Sequence, residues 1–205
     1  MNQRPIVRVA VAFGLAAGVL GPLGGPADAQ TYQPPAEEAR PACAAQPPPG
    51  AILAGSKEPA VVAGTPGDDV IYVMAPGKTI RGLAGNDVIC SNFEAGTVMV
   101  DAGEGADYVQ LTNDAADVIY GGPGNDNLWS TGGDDRLYGD AGHDRLYAGR
   151  GSDYVSGGTE NDQLRGGAGD DSLFGDAGTD ICQGDSDWDA AHSCEQFSSV
   201  EQAGG

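Results

Sequence analysis

Cationic side chains are scarce in this chain: 10 lysines and arginines stand against 30 aspartates and glutamates in 205 residues, a formal net charge of −20. Nucleic acid and acidic membrane surfaces, which need clustered Lys and Arg, are therefore poor partners. Histidine occurs only as His143 and His192, at no metal-ligand spacing, and His192 beside Ser193 reads as a surface pair. Neither H-E-x-x-H nor G-x-S-x-G is present. Gly77-Lys78-Thr79 imitates the end of a phosphate-binding loop, but Tyr72 stands where its first glycine must be. The longest apolar run, Val9 to Leu20, is shorter than the roughly 20 residues of a spanning helix, so stable membrane insertion is not expected. There are four cysteines and no C-x-x-C, which argues against a soft-metal site. An enzyme is not expected. Carboxylate pairs for glycoside chemistry are the one catalytic arrangement that inspection leaves open, as a polysaccharide-active enzyme.

What the chain has instead is period. From Thr112 to Gln183 it divides into eight consecutive blocks of nine, most reading Gly-Gly-x-Gly-x-Asp-x-apolar-x. Gly121 to Trp129, Gly139 to Tyr147 and Gly166 to Phe174 are the cleanest. The sixth place holds Asp117, Asp126, Asp135, Asp144, Asp153, Asp162, Asp171 and Asp180; the eighth holds Ile119, Leu128, Leu137, Leu146, Val155, Leu164, Leu173 and Cys182. Six residues rich in glycine, Asn and Asp suit a tight turn, and three of the form x-apolar-x suit a short strand. One nonapeptide cannot bury its apolar side chain alone. If alternate strands wind onto two facing parallel sheets, eighteen residues make one coil and the eighth places share a narrow core. The aspartates then form a column along each flank, and such columns repel themselves unless cations lie within them. Carboxylate and turn-carbonyl oxygens are the donors that Ca²⁺ prefers.

On these residues the chain resembles the hemolysin-type calcium-binding family, also called RTX or repeats-in-toxin, over roughly Gly64 to Asp189. The resemblance implies an all-β fold, a parallel β-roll or two-sheet β-solenoid of about seven coils, with Ca²⁺ bound between turns. It also brings toxins, proteases, lipases and epimerases, whose separate catalytic or pore-forming domain is not expected here. Two departures from the pattern matter: Thr112 to Tyr120 has lost its glycines, and Glu160 replaces the fourth-place glycine of Gly157 to Arg165.

In chain order, residues 1–29 carry Arg4, Arg8, the apolar run and Ala27-Asp28-Ala29, and read as a secretory leader. Without them the charge is about −21, and the chain is expected outside the cytoplasm, where calcium and disulfides persist. Residues 30–63 are proline-rich and expected to be extended or draped. The register begins at Gly64, with Lys78 in an aspartate place and an irregular stretch from Ser91 to Asp101 in which Val98 or Val100 points inward. The roll is expected to span residues 64–189, followed by a cap and tail over residues 190–205.

Alternation puts Asp69, Asp87, Asp107, Asp126, Asp144, Asp162 and Asp180 on one flank, and Asp135, Asp153 and Asp171 on the other after weak turns near Lys78, Gly96 and Asp117. More ions are expected on the first flank. Asp185, Asp187 and Asp189 form a D-x-D-x-D loop that resembles the start of an EF-hand, but Ala190 and Gln196 break that pattern, and a last roll turn with Asp187 and Asp189 as ligands is the better reading. Roughly nine Ca²⁺ ions are expected in all. Of three possible pairings, Cys182 with Cys194 and Cys43 with Cys90 are expected, each stapling a segment over one end of the solenoid. Tyr120 with Tyr138, and Trp129 with Tyr147, lie eighteen apart and should stack outward, either stabilising a sheet or offering a glycan or cell-surface partner a platform. The expected function is calcium binding coupled to folding, with an adhesion module as the alternative. The oligomeric state is left open.

Overall fold

The computed structural model describes Cys43 and residues 47–55, 60–91 and 96–200. The expected leader and most of the proline-rich segment lie outside the described residues. Among the described residues the chain is entirely β. One parallel sheet holds the odd strands: β1 (Ile52–Ala54), β3 (Val70–Val73), β5 (Val88–Ser91), β7 (Tyr108–Gln110), β9 (Asn127–Trp129), β11 (Arg145–Arg150), β13 (Gln163–Ala168), β15 (Ile181–Ser186) and β17 (Gln196–Val200). The other holds β2 (Val61–Ala63), β4 (Lys78–Ala84), β6 (Val98–Glu104), β8 (Val118–Pro123), β10 (Arg136–Ala141), β12 (Tyr154–Thr159), β14 (Ser172–Ala177) and β16 (Ala190–His192). The chain alternates between them, so each strand pairs with those two before and two after it. This is a two-sheet parallel β-roll, and its length is about eight turns rather than seven. The difference comes from the ends: β1 and β2 lie within the stretch expected to drape, and β17 within the expected tail.

Register follows the period. Leu137 pairs with Ile119 on one side and Val155 on the other, and Leu146 pairs with Leu128 and Leu164. All are eighth-place residues and almost fully buried, and they continue through Ile71, Ile80, Ile89, Val100 and Val109 into one core cluster. Of the two candidates in the irregular stretch, Val98 and Val100 are both buried.

In the regular coils the strands are longer than three residues. Tyr154–Thr159 and Gln163–Ala168 run on through the first three places of the next block, so the turn proper is compressed into places four to six. With side chains alternating, places six, eight and one all face inward. Asp, an aliphatic residue and a glycine or alanine thus line the interior, and Ala102 and Ala148 join the core from the first place.

The structure forms both disulfides, Cys43–Cys90 and Cys182–Cys194. Cys182 is an inward eighth-place residue at the C-terminal end, and Cys194 packs against the core there. Cys90 instead occupies an outward ninth place on β5, between Tyr72 and Gln110. That bridge ties the N-terminal segment to a sheet face rather than over an end.

Candidate metal centre

Each turn reverses the chain so that its first and sixth places meet. A Cβ built on Gly64 would lie 2.7 Å from Asp69 Oδ2 and 2.6 Å from the carbonyl oxygen of Gly82, the first place of the next coil. The same collision, with the turn's own aspartate and the next coil's carbonyl, recurs at Gly82, Gly121 and Gly139. Glycine is needed there because the space it leaves belongs to oxygen.

The aspartates form two hydrogen-bonded columns. On the first flank the backbone N–H of Asp69 donates to Asp87 Oδ1, and the pattern repeats from Asp87 to Asp107, then Asp126, Asp144, Asp162 and Asp180, at 2.7 to 2.9 Å. On the second flank Val98 donates to Asp117, then Asp117 to Asp135, Asp135 to Asp153, Asp153 to Asp171, and Asp171 to Asp189. One oxygen of each carboxylate therefore joins coil to coil.

The other oxygen divides the column into two kinds of rung. Asp69 Oδ2 accepts from Thr65 N and Oγ1, and Asp117 Oδ2 accepts from Asn113 Nδ2 at 2.8 Å. These carboxylates are satisfied by their own turns. The Oδ2 atoms of Asp87, Asp107, Asp126, Asp144, Asp162 and Asp180 on the first flank, and of Asp135, Asp153 and Asp171 on the second, are buried with no well-formed hydrogen bond among the described residues, although the Ser130 side chain interacts with the Asp135 carboxyl. A buried carboxylate left so costs several kcal/mol unless it is protonated or meets a cation. Burial accordingly pushes the carboxyl of Asp144 up to about 8, those of Asp126, Asp135, Asp162 and Asp171 to about 7, and those of Asp107 and Asp153 to about 6. Among the described residues no three His, Cys, Asp or Glu side chains converge, so main-chain carbonyls must supply the remaining donors. An aspartate oxygen facing turn carbonyls is an all-oxygen donor set, which fits Ca²⁺ and not a thiophilic metal.

Lys78 and Val98 occupy aspartate places at the start of the second flank, and that column begins only at Asp117. Its first places are Ser130 and Ala148 before Asp135 and Asp153, then Gly166 and Gly184 before Asp171 and Asp189, so only its last two turns are glycine-lined. Asp189 sits in the column as a sixth-place residue. Asp187 does not: it stands at the fourth place with φ 78° and accepts from Ser186 Oγ, while Asp185 is ion-paired with Arg165. The D-x-D-x-D run is a modified roll turn.

A second ladder escaped the sequence reading. Fifth-place residues accept from the fifth-place N–H of an adjacent coil: Asn86 from Ala106, Asn125 from His143, Asn161 from Thr179 and Asp134 from Ser152. His143 Nδ1 lies 3.1 Å from both the N–H and the carbonyl oxygen of Asn161, and His143 N donates to Asn125 Oδ1, so this place is a rung rather than a free position. The signal that would have found it is the frequency of Asn and Asp there.

Parallel coils joined by acidic, glycine-lined turns define a calcium-binding β-roll. The family model of the RTX calcium-binding nonapeptide repeat matches residues 79–98, 111–146, 120–155, 129–164 and 156–187, and the repeats of this chain belong to that family. No curated protein and no solved structure is significantly similar to the chain.

Proposed function

We propose that this is a secreted, non-enzymatic calcium-binding protein whose roll folds around ions held between successive turns. The observation that carries this reading is the set of nine buried, unpartnered Oδ2 atoms. Asp87, Asp107, Asp126, Asp144, Asp162 and Asp180 are the ligands on the first flank, and Asp135, Asp153, Asp171 and Asp189 on the second. The Asp69 carboxylate stays with Thr65 and its carbonyl with the Val88 N–H, and Asp187 is not a ligand. Six unpartnered oxygens on one flank against three on the other support a first flank richer in ions. The two disulfides and the leader-like N-terminus support an extracellular site of action.

Ligation and folding are one process here, because the donors belong to adjacent coils that the unfolded chain does not bring together. Extracellular calcium modules bind at about 10⁻⁴ to 10⁻³ M, so export itself would switch the chain to its folded form. Titrating the purified chain with Ca²⁺, while following circular dichroism and bound-ion stoichiometry together, tests this. Several ions should bind in a cooperative step that creates the β signal, with Mg²⁺ ineffective. A chain already fully folded in chelator, or binding a single ion, would refute it.

A further inference from the structure

The first-flank column does not stop at Asp180. Gly175 begins the last glycine-rich turn of that flank, and the next first place, eighteen residues on, is Ser193. A full nonapeptide turn would then carry six residues and place its aspartate at position 198, which is Ser198. The chain does something else: β17 starts at Gln196, and its Gln196 and Phe197 pair with Ile181 and Cys182. The connection is cut from six residues to three, Ser193-Cys194-Glu195.

Those three residues keep the two oxygen-bearing functions of a whole turn. A Cβ on Gly175 would collide with the Ser193 carbonyl oxygen and lie 2.6 Å from Asp180 Oδ2, the same pair of atoms that surrounds Gly64 and Gly139 in complete turns. The backbone N–H of Asp180 donates to Glu195 Oε2 at 2.5 Å, the contact that Asp162 N makes with Asp180 Oδ1 one coil earlier. Glutamate's additional methylene reaches the rung from a turn three residues shorter. Ser193 takes φ 53°, a left-handed value for a residue with a side chain, in making the bend. Between the two, Cys194 is bonded to Cys182 and so fixes the short turn to the end of the core.

Asp180 is fully buried, and its Oδ2, aimed at this cradle, has no hydrogen-bond partner. The Ser193 carbonyl and Asp180 Oδ2 thus meet at Gly175, and the exposed Glu195 carboxylate is held beside them by the Asp180 N–H.

We propose that Ser193-Cys194-Glu195 is a shortened turn that completes a terminal Ca²⁺ site, with the Ser193 carbonyl and the Glu195 carboxylate replacing the carbonyl and aspartate of a nonapeptide. The site rests on the calcium reading above, and it lies outside the nonapeptide pattern. It gives the last rung of the column an ion at the one oxygen that its hydrogen bonds leave unused.

The test compares bound Ca²⁺ per chain, by isothermal titration of the full chain, for the wild type, Glu195→Gln and Asp101→Asn, an outward strand carboxylate as charge control. Glu195→Gln should bind one ion fewer and Asp101→Asn the wild-type number. An unchanged count and affinity in Glu195→Gln overturns the terminal site while leaving the calcium reading intact; a wild type that binds no calcium overturns that reading first. If Glu195→Gln does not fold in saturating calcium, anomalous scattering from wild-type crystals grown with Ca²⁺ decides. A peak among Ser193 O, Asp180 Oδ2 and the Glu195 carboxylate supports the site, and peaks elsewhere on the first flank with none here exclude it.

Discussion

Fourth-place glycines are the residues this roll can least exchange. Gly142 has φ 136°, and a Cβ on it would overlap the carbonyl oxygen of Gly124 one coil away; Gly124 meets Gly105 in the same manner. Stacked carbonyls set the spacing of the flank, so neither strain nor overlap can relax locally. Gly142→Ala should therefore destabilise the calcium-loaded roll by about 2 kcal/mol or more, the sum of a left-handed penalty and a backbone collision. Glu160 shows what the same place tolerates when φ is smaller: at 74° it is accommodated, and its carboxylate accepts from Gly142 N and Thr159 Oγ1. Glu160→Gly removes the strain and these bonds together and should change stability by less than about 1 kcal/mol. Denaturant unfolding in saturating calcium measures both, and equal effects would mean that the carbonyl stack yields. The glycine places were legible from sequence because their recurrence has one steric cause. The satisfied rungs at Asp69 and Asp117 were harder to read, since they depend on which neighbour, Thr65 or Asn113, bends back to the carboxylate.

At the scale of strands and columns, the sixth-place aspartates behave as a unit with a defined pH response. Without calcium, burial holds the carboxyls of Asp107, Asp126, Asp135, Asp144, Asp153, Asp162 and Asp171 at about 6 to 8, whereas an unfolded aspartate titrates near 3.9. The folded, ion-free chain thus binds more protons than the unfolded chain between about pH 4 and pH 8. The stability linked to these groups is fully present below about pH 4 and is lost as pH rises through 6 to 8. In chelator, where the chain is expanded near pH 8, part of the β signal should be regained as pH falls to 5. With calcium the dependence reverses, because the ion must displace those protons, and the calcium midpoint should rise as pH falls from 8 to 5. A chelated chain with no more β signal at pH 5 than at pH 8 would show that the columns are ionised when empty. The outward faces carry a different element, the ring column Tyr120, Tyr138, Tyr154, Phe174 and His192, with centroids 4.8 to 5.6 Å apart. Sequence spacing showed Tyr120 over Tyr138, but Tyr154 enters from the seventh place, which an eighteen-residue rule does not reach. Rings stacked on one another use most of their faces in the column, which favours sheet stabilisation over a glycan platform.

For the whole molecule the controlling quantity is charge against core. Among the described residues the interior is chiefly one eighth-place row per sheet, joined by Val73, Val98 and Leu111 and edged elsewhere by small residues, and a formal charge of −20 works against it. Two effects of calcium have to be separated: it screens the acidic flanks, and it supplies the partner that the nine unpartnered oxygens lack. Salt provides only the first. At 1 M ionic strength the Debye length is about 3 Å, so repulsion between exposed turns is largely removed, while a buried Oδ2 still faces carbonyls with nothing between them. The chain in chelator should therefore stay expanded in 1 M NaCl and contract when a few millimolar Ca²⁺ is added at low salt. Small-angle scattering measures this directly: the radius of gyration should fall by about half or more, since a random chain of this length is near 50 Å and a compact one below 20 Å. The shape of the salt response decides the mechanism. Contraction in sodium chloride alone would mean that the flanks need only neutralisation and that the paired oxygens of each turn are incidental. Contraction only with calcium assigns folding to ligation, which is what columns of buried carboxylates, nine of them bonded through one oxygen and open at the other, are built to require.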